Sequence, residues 1–111
     1  MNSYKPLLSI ITPTRNNASD IIRFLNSIKK QTYKNIELII SDGMSTDDTR
    51  KLARKYRAII LDNKKKLAEP GVTLGMQKAT GDLMMILAVD NVYEDKNALK
   101  KMIEVFKDKN I

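Results

Sequence analysis

The stretch LLSIITPTRN, residues 7–16, contains the features that decide the fold. Residues 7–11 form a short, almost continuous apolar run rich in β-branched isoleucine, and Pro13 ends it. This pattern predicts a strand that is buried on both faces. Polar residues follow the run at once, from Thr12 to Asn16. Strands buried on both faces belong to parallel sheets, so the rest of the chain should supply covering helices.

Similar apolar runs recur along the chain at residues 36–40, 58–61 and 83–89. Helical patterns separate these runs, so strand and helix alternate through the sequence. Such alternation predicts right-handed βαβ crossovers. The predicted fold class is therefore α/β, with a mostly parallel sheet and helices on both faces. The run at residues 83–89 is the longest, and we expect it to form a central strand.

The helical segments carry apolar residues at spacings of three and four. Residues 71–79 form a short helical pattern that Gly81 follows. Ser45, with Asp48 three residues later, resembles a capping box at the start of the second helix. The last helix is expected to bury four residues: Leu99, Met102, Ile103 and Phe106.

The composition excludes several classes of function. The chain has 111 residues, enough for one core, and its net charge of +7 favours anionic partners. It contains no cysteine and no histidine, which excludes disulfides, thiolate or imidazole metal sites and histidine-based triads. Any metal must take oxygen ligands, as Mg²⁺ and Mn²⁺ do. Two Phe and four Tyr, with no run of aromatic residues among basic ones, argue against nucleic-acid binding.

The first apolar run also bears on location in the cell. Residues 7–11 are far too few to span a membrane, and no signal-peptide cleavage pattern follows them. We therefore expect a cytoplasmic location, with the inner face of a membrane as an open alternative.

Polar residues end three of the predicted strands, at residues 12–16, at Asp42 and at Asp90. Carboxyl ends of parallel strands meet at one edge, where sheets of this kind bind ligands. An acid at a strand end should contribute little to packing, and either acid alone is most simply a turn or cap residue. For the two acids together, a shared metal or ligand site is favoured as much as separate turn or cap roles. Arg15 is either a surface charge or a contact to phosphate or base.

Four segments stand out in order: SIITPTRN at 9–16, QTYKNIE at 31–37, SDGMSTDDT at 41–49 and GMQKATGD at 75–82. They resemble motifs of family 2 glycosyltransferases, the large inverting group with the GT-A fold. The resemblance implies a Rossmann-like GT-A fold and a nucleotide-diphosphate sugar as donor. It also implies sugar transfer with inversion to an acceptor hydroxyl, on a glycan, a lipid or a protein.

The resemblance assigns nucleotide contacts to Thr12, Pro13, Thr14, Arg15, Asp42 and Asp90. Within this set, Asp42 would contact the base, and Asp90 would hold a metal ion as the last acid of the family's Asp-x-Asp motif. The sequence departs from the motif there, because its triplet is Ala88-Val89-Asp90 and the first acid is missing. The expectation is therefore a weakly held Mg²⁺ or Mn²⁺.

The resemblance covers nearly the whole chain but only the nucleotide-binding half of the family domain. Residues 1–111 are thus expected to form the nucleotide-sugar-binding part of a truncated domain, with the catalytic base beyond Ile111. On that expectation the chain alone is inactive, and the uncovered edge of residues 83–89 promotes self-association. The alternative is a non-catalytic or degenerate nucleotide-sugar-binding module. A phospho-receiver domain is disfavoured because residues 14–16 contain no acids.

Overall fold

A computed structural model describes residues 4–109, with side chains described up to residue 107. Strands and helices alternate as the sequence predicts. Their order is β1 (Leu8–Thr14), α1 (Ala18–Lys29), β2 (Ile36–Asp42), α2 (Thr49–Arg54), β3 (Ile59–Asp62), α3 (Ala68–Lys78), β4 (Leu83–Ile86) and α4 (Ala98–Lys109). Within the described residues, no helix combines the length and the apolar character needed to cross a membrane.

The four strands form one parallel sheet in the order β3-β2-β1-β4. A helix connects each strand to the next, as parallel neighbours require. The register places Thr14 of β1 beside Asp42 of β2, and Asp42 beside Asp62 of β3. The carboxyl ends of these three strands therefore lie in one row at the same edge of the sheet.

The main core lies between one face of the sheet and α1, α2 and α4. Alternate residues of β1 and β2 supply its floor, and helix residues such as Phe24, Leu25 and Leu99 cover it. On the opposite face, α3 lies so close to β1 that a Cβ added at Gly75 would be 2.3 Å from Ile11 Cγ2. This close approach requires a glycine. Helices thus cover both faces, which confirms the predicted fold class.

β4 lies at an edge of the sheet, so the prediction of a central strand at residues 83–89 is wrong. In the described part of the chain, β4 pairs only with β1, and Met84 and Ile86 are 50% and 53% exposed. Leu87 and Val89 are buried, but they lie beyond the end of the strand. The apolar run is long because its second half packs into the core as a loop, and run length carries no information on strand order.

Three details of the helices differ from the prediction. α3 begins earlier, at Ala68, with Pro70 in its first turn, where a proline costs no intrahelical hydrogen bond. The capping box of Ser45 and Asp48 does not form, because α2 has no side-chain cap and the Ser45 hydroxyl donates to the end of β2 instead. Phe106 of α4 was expected in the core but is 38% exposed.

Residues from three of the four motif segments stabilise the amino-terminal end of the sheet. Glu37 accepts hydrogen bonds from the Thr80 N–H at 2.9 Å and from the Thr80 and Ser9 hydroxyls at 2.8 and 2.7 Å. These bonds lower the pKa of Glu37, and the bond from the Thr80 N–H has the largest effect. Together they outweigh burial, which raises the pKa. Gln31 is fully buried and joins α1 to the start of α4 by hydrogen bonds of 2.9 and 3.1 Å to backbone groups. These residues hold the fold together at the end opposite the row of strand ends.

Candidate functional site

The loops after β1 and β2 are tied to each other at the carboxyl edge of the sheet. The Asn16 N–H donates to Ser45 Oγ at 2.8 Å, and Asn16 Oδ1 accepts from the Thr46 N–H at 2.8 Å. Arg15 Nη1 donates to the Gly43 carbonyl at 2.7 Å. Asn16 has a φ of 52°, a left-handed conformation that asparagine tolerates better than most residues. The two loops therefore form one ordered rim.

Asp42 lies in the middle of the row of strand ends and is fully buried. Its Oδ1 accepts from the hydroxyls of Thr14 at 2.7 Å and Ser45 at 2.6 Å. Its Oδ2 accepts from the Ser45 N–H at 2.8 Å and from Arg50 Nη1 at 3.2 Å. Arg50 also pairs with Asp62 of β3 at 2.5 Å. Asp42 thus links the ends of β1 and β2 to α2, and the expectation that it contributes little to packing is wrong.

The hydrogen bonds of Asp42 also determine its charge. Burial raises the pKa of Asp42, but the bonds from Ser45, Thr14 and Arg50 together outweigh this and hold the pKa below its usual value. The carboxylate is therefore ionised at neutral pH, and both of its oxygens are engaged within the chain. Contact between Asp42 and a nucleotide base stays a prediction.

The structure separates the other residues predicted from the first loop. Thr12 is fully buried on the core face of β1, and its hydroxyl has no hydrogen-bond partner within residues 4–109. Thr14 is also buried and donates to Asp42. Pro13, Thr14 and the exposed Arg15 lie together at one cavity. Three of the four predicted loop residues are thus adjacent to a space that a ligand could enter.

This cavity has a volume of about 250 Å³, and the loop after β3 forms its other wall, with Asn63, Lys66, Leu67 and Ala68. Asn63 is 2% exposed, and its Nδ2 donates to the Leu67 carbonyl at 2.7 Å. Its Oδ1 is buried and has no hydrogen-bond partner in the described chain. This wall of the cavity was not predicted from the sequence. The available signal was the polar pair Asp62-Asn63, which ends the third apolar run as Asp42 ends the second.

Asp90 follows β4, is exposed and does not line the cavity. The Oδ1 of its neighbour Asn91 accepts from the Ala88 N–H at 2.7 Å. Among the residues the structure describes, no three acidic side chains lie together as a metal centre. Asp90 therefore offers a single carboxylate, and the side chains around it do not by themselves form a metal site.

The family model of glycosyl transferase family 2 matches residues 9–111. The chain belongs to this family. The O-antigen chain rhamnosyltransferase WbaN of Salmonella anatum is 33% identical over 110 residues, which are 96% of this chain and 35% of WbaN. A PGL/p-HBAD biosynthesis glycosyltransferase of Mycobacterium tuberculosis is 31% identical over 103 residues, which are 87% of this chain and 40% of that protein. The family 2 chain described here thus spans 35–40% of the length of these relatives.

Solved structures share the fold of this family 2 chain. The mannosyltransferase PcManGT of Pyrobaculum calidifontis, in complex with GDP-Man and Mn²⁺, matches 94% of the chain with a TM-score of 0.83 and 22% identity. S. aureus TarS in complex with UDP matches 93% of it with a TM-score of 0.81 and 24% identity. The chain covers 33% and 32% of these two proteins. The GT-A fold expected from the sequence is thereby confirmed.

Proposed function

We propose that this chain binds a nucleotide-diphosphate sugar at the carboxyl edge of its sheet, as the donor-binding part of an inverting glycosyltransferase. Membership of family 2 supports the proposal, as do the GDP-Man and UDP ligands of the two structural neighbours. The observation that carries it is the cavity beside Asn63. There, a buried acceptor without a partner lies among cations at the carboxyl end of a parallel sheet.

Asn63 supplies the hydrogen-bonding chemistry of the proposed site. A buried acceptor without a partner costs about 1–3 kcal/mol, and a ligand that donates to it recovers this energy. Nucleobase N–H groups and ribose hydroxyls are donors of this kind. The Asn63 amide is fixed in one orientation, because its Nδ2 already donates to the Leu67 carbonyl. Its Oδ1 is therefore the acceptor that the described residues leave without a partner, and, because this atom is itself buried, a ligand reaches it only when the loop after β3 shifts.

Arg15 and Lys66 supply the electrostatic part. Both are exposed cations at the cavity, one on each wall. A nucleotide diphosphate is anionic, and exposed cations around a small cleft raise the local concentration of such a ligand. The guanidinium of Arg15 can also bind a phosphate through two N–H groups at once. Its hydrogen bond to the Gly43 carbonyl holds it at the rim.

In the proposed reaction, an acceptor hydroxyl attacks the anomeric carbon of the bound donor. The carbon–oxygen bond to the diphosphate breaks, the electron pair leaves with the diphosphate, and a general base takes the hydroxyl proton. We assign the base to no residue in 4–109. We also assign no step to a metal ion, because Asp90 is a lone carboxylate. The part of this chain is to hold and orient the nucleotide.

A nucleotide-sugar-binding module without transfer activity is the second candidate. Ala88 in place of an acid favours it, because the lost carboxylate would have been the second metal ligand. Release of nucleoside diphosphate when the bound donor is incubated with hydroxyl acceptors would support transfer. An intact donor is expected of this chain under both candidates, so the second measurement is the Mn²⁺ affinity of Ala88→Asp with the donor bound. Tighter Mn²⁺ binding than in the wild type supports the metal site of a transferase, and unchanged binding supports the module.

Titration calorimetry with uridine, guanosine and thymidine diphosphate sugars, with and without Mn²⁺, tests the proposed site. We expect one nucleotide class to bind, and Asn63→Ala to weaken it roughly tenfold, the value of one hydrogen bond. Asn35→Ala is a matched control, because it also loses one amide-to-carbonyl bond, of 2.9 Å to Lys5, at the other end of the sheet. No binding by any nucleotide, or equal affinity in the two variants, would refute the site.

A further inference from the structure

A second, larger cavity lies at the amino-terminal end of the sheet. It is an open groove of about 680 Å³, within the size range of small-molecule clefts. Its floor is apolar and consists of Leu25, Ile28, Ile36 and Leu38. Its rim is cationic and consists of Lys29, Lys34, Lys55 and Arg57, and two tyrosines complete its wall. We call this space the basic groove.

The short length of β3 leaves the basic groove open. In the described part of the chain, β3 pairs only with residues 39–42 of β2, so residues 36–38 have no strand beside them on that side. Ile36 and Leu38 consequently remain only half-buried, although they belong to the edge of the core. The ends of α1 and α2 flank the gap and bring Lys29 and Lys55 to its rim.

The four cations of the rim have no carboxylate partner among the side chains that the structure describes. Within residues 4–107, none of them lies within 4 Å of a carboxylate. Lys29 Nζ lies 5.9 Å from the centroid of the Tyr56 ring, and Lys34 Nζ donates to the Lys29 carbonyl at 2.7 Å. Lys55 and Arg57 are exposed. Among the described residues, no acidic one lines the groove. The groove therefore presents a concentrated positive charge above an apolar floor.

We propose that the basic groove docks the chain on a membrane surface by binding the headgroup of an acidic phospholipid. The phosphate of such a lipid matches the cationic rim, and the glycerol and first acyl carbons match the apolar floor. Tyr33 and Tyr56 contribute their rings to the wall, since tyrosine is enriched at bilayer interfaces. Their hydroxyls already donate within the chain, to the Pro6 carbonyl and to Asn26 Oδ1. A soluble anion would use the rim alone and leave the floor in contact with water.

The position of the basic groove allows docking and nucleotide binding together. β2 runs from the groove, at Ile36, to the row of strand ends, at Asp42. At about 3.3 Å per residue, this is a separation of about 20 Å. A lipid in the groove therefore leaves the cavity beside Asn63 open to solvent.

Vesicle co-sedimentation of the 111-residue chain tests the proposal. Vesicles of pure phosphatidylcholine are compared with vesicles that also contain phosphatidylserine. The groove variant carries Lys34→Glu and Lys55→Glu. The control variant carries Lys64→Glu and Lys65→Glu, which produce the same change of net charge in the exposed loop after β3. Thermal melting of each variant checks that it is folded.

We expect the wild type to bind only the vesicles with phosphatidylserine. The groove variant should lose vesicle affinity by at least roughly tenfold, because each cation near an acidic surface contributes about 1 kcal/mol. The control variant should lose several-fold less. Equal losses in the two variants would show diffuse attraction of a basic protein and overturn the assignment. Inorganic phosphate or a short RNA is then added at constant ionic strength. If either displaces the chain from the vesicles, the ligand of the groove is a soluble anion or a nucleic acid and not a membrane lipid.

Discussion

Replacement of Asp42 by alanine should destabilise the chain far more than the same change at Asp90. Each of the two acids follows an apolar run of the sequence, but Asp42 is fully buried and Asp90 is exposed. Asp42→Ala removes the acceptor of four hydrogen bonds. The buried Thr14 hydroxyl then loses its partner, at a cost of about 1–3 kcal/mol, and the less buried Ser45 and Arg50 donors lose about 0.5 kcal/mol each.

The total is a loss of about 3 kcal/mol in the free energy of unfolding, which lowers Tm by about 15 °C in a domain of this size. Arg50 keeps its bond to Asp62, which limits the penalty. Asp90→Ala should change the free energy of unfolding by less than about 0.5 kcal/mol, as surface substitutions usually do. Thermal melting followed by circular dichroism at pH 7 measures both effects. A Tm of Asp42→Ala close to that of Asp90→Ala would refute the role we assign to the buried carboxylate.

The Asp42 carboxylate also makes the stability of the fold depend on pH. The pKa of Asp42 in the folded chain lies below its value of about 3.9 in an unfolded chain. The stabilisation is therefore complete above about pH 4 and is lost as the pH falls through the folded-state pKa. The difference in stability between the wild type and Asp42→Asn, which does not titrate, should shrink on acidification from pH 7 to about pH 3. A difference that stays constant over this range would contradict the ionised state of Asp42.

Two further predictions concern the metal ion and the edge of the sheet. Mn²⁺ should bind the free chain weakly and bind better with a nucleoside diphosphate, whose oxygens supply missing ligands, and Ala88→Asp should tighten binding to the free chain. Calorimetry measures this, and tight binding to the wild type without nucleotide would show that a ligand other than Asp90 has been missed. The chain should self-associate at high concentration through the half-exposed Met84 and Ile86 of β4, and Ile86→Lys should reduce this in light scattering. A wild type that stays monomeric at every concentration would count against it.

The sequence predicted the fold class because the buried strands are nearly continuous apolar runs and the helices carry apolar residues at spacings of three and four. It did not predict the position of β4, since strand order depends on which helix covers which face rather than on the run itself. The beginning of α3 was missed for a local reason. Pro70 suggests a break in a sequence pattern, but in the first turn of a helix it is tolerated.

The candidate site was predicted only in part, because burial at a strand end is a tertiary property. Pro13, Thr14 and Arg15 were identified and do lie at the cavity. Asn63 was not identified, although the polar pair Asp62-Asn63 was a signal, because its place beside β2 and under the start of α3 is a tertiary feature. The hydrogen bonds of Asp42 could not be predicted from the sequence either, since they come from Thr14 on one strand and from Arg50 on a helix.

Asp42 and Asn63 illustrate how stability and binding are divided within one edge of the sheet. The Asn63 N–H donates to the Asp42 carbonyl at 2.8 Å, so the two residues are in direct backbone contact. The side chain of Asp42 has both oxygens occupied by the chain, whereas Asn63 retains a buried oxygen with no partner among the described residues. Loss of Asp42 should therefore weaken nucleotide binding mainly by displacing Thr14 and the rim. Loss of Asn63 should weaken nucleotide binding by removing a direct contact. Affinity and Tm measured on the same variants separate these two causes. We expect the affinity lost by the Asp42 variant to accompany a fall in Tm of about 15 °C, and the affinity lost by the Asn63 variant to accompany a much smaller fall.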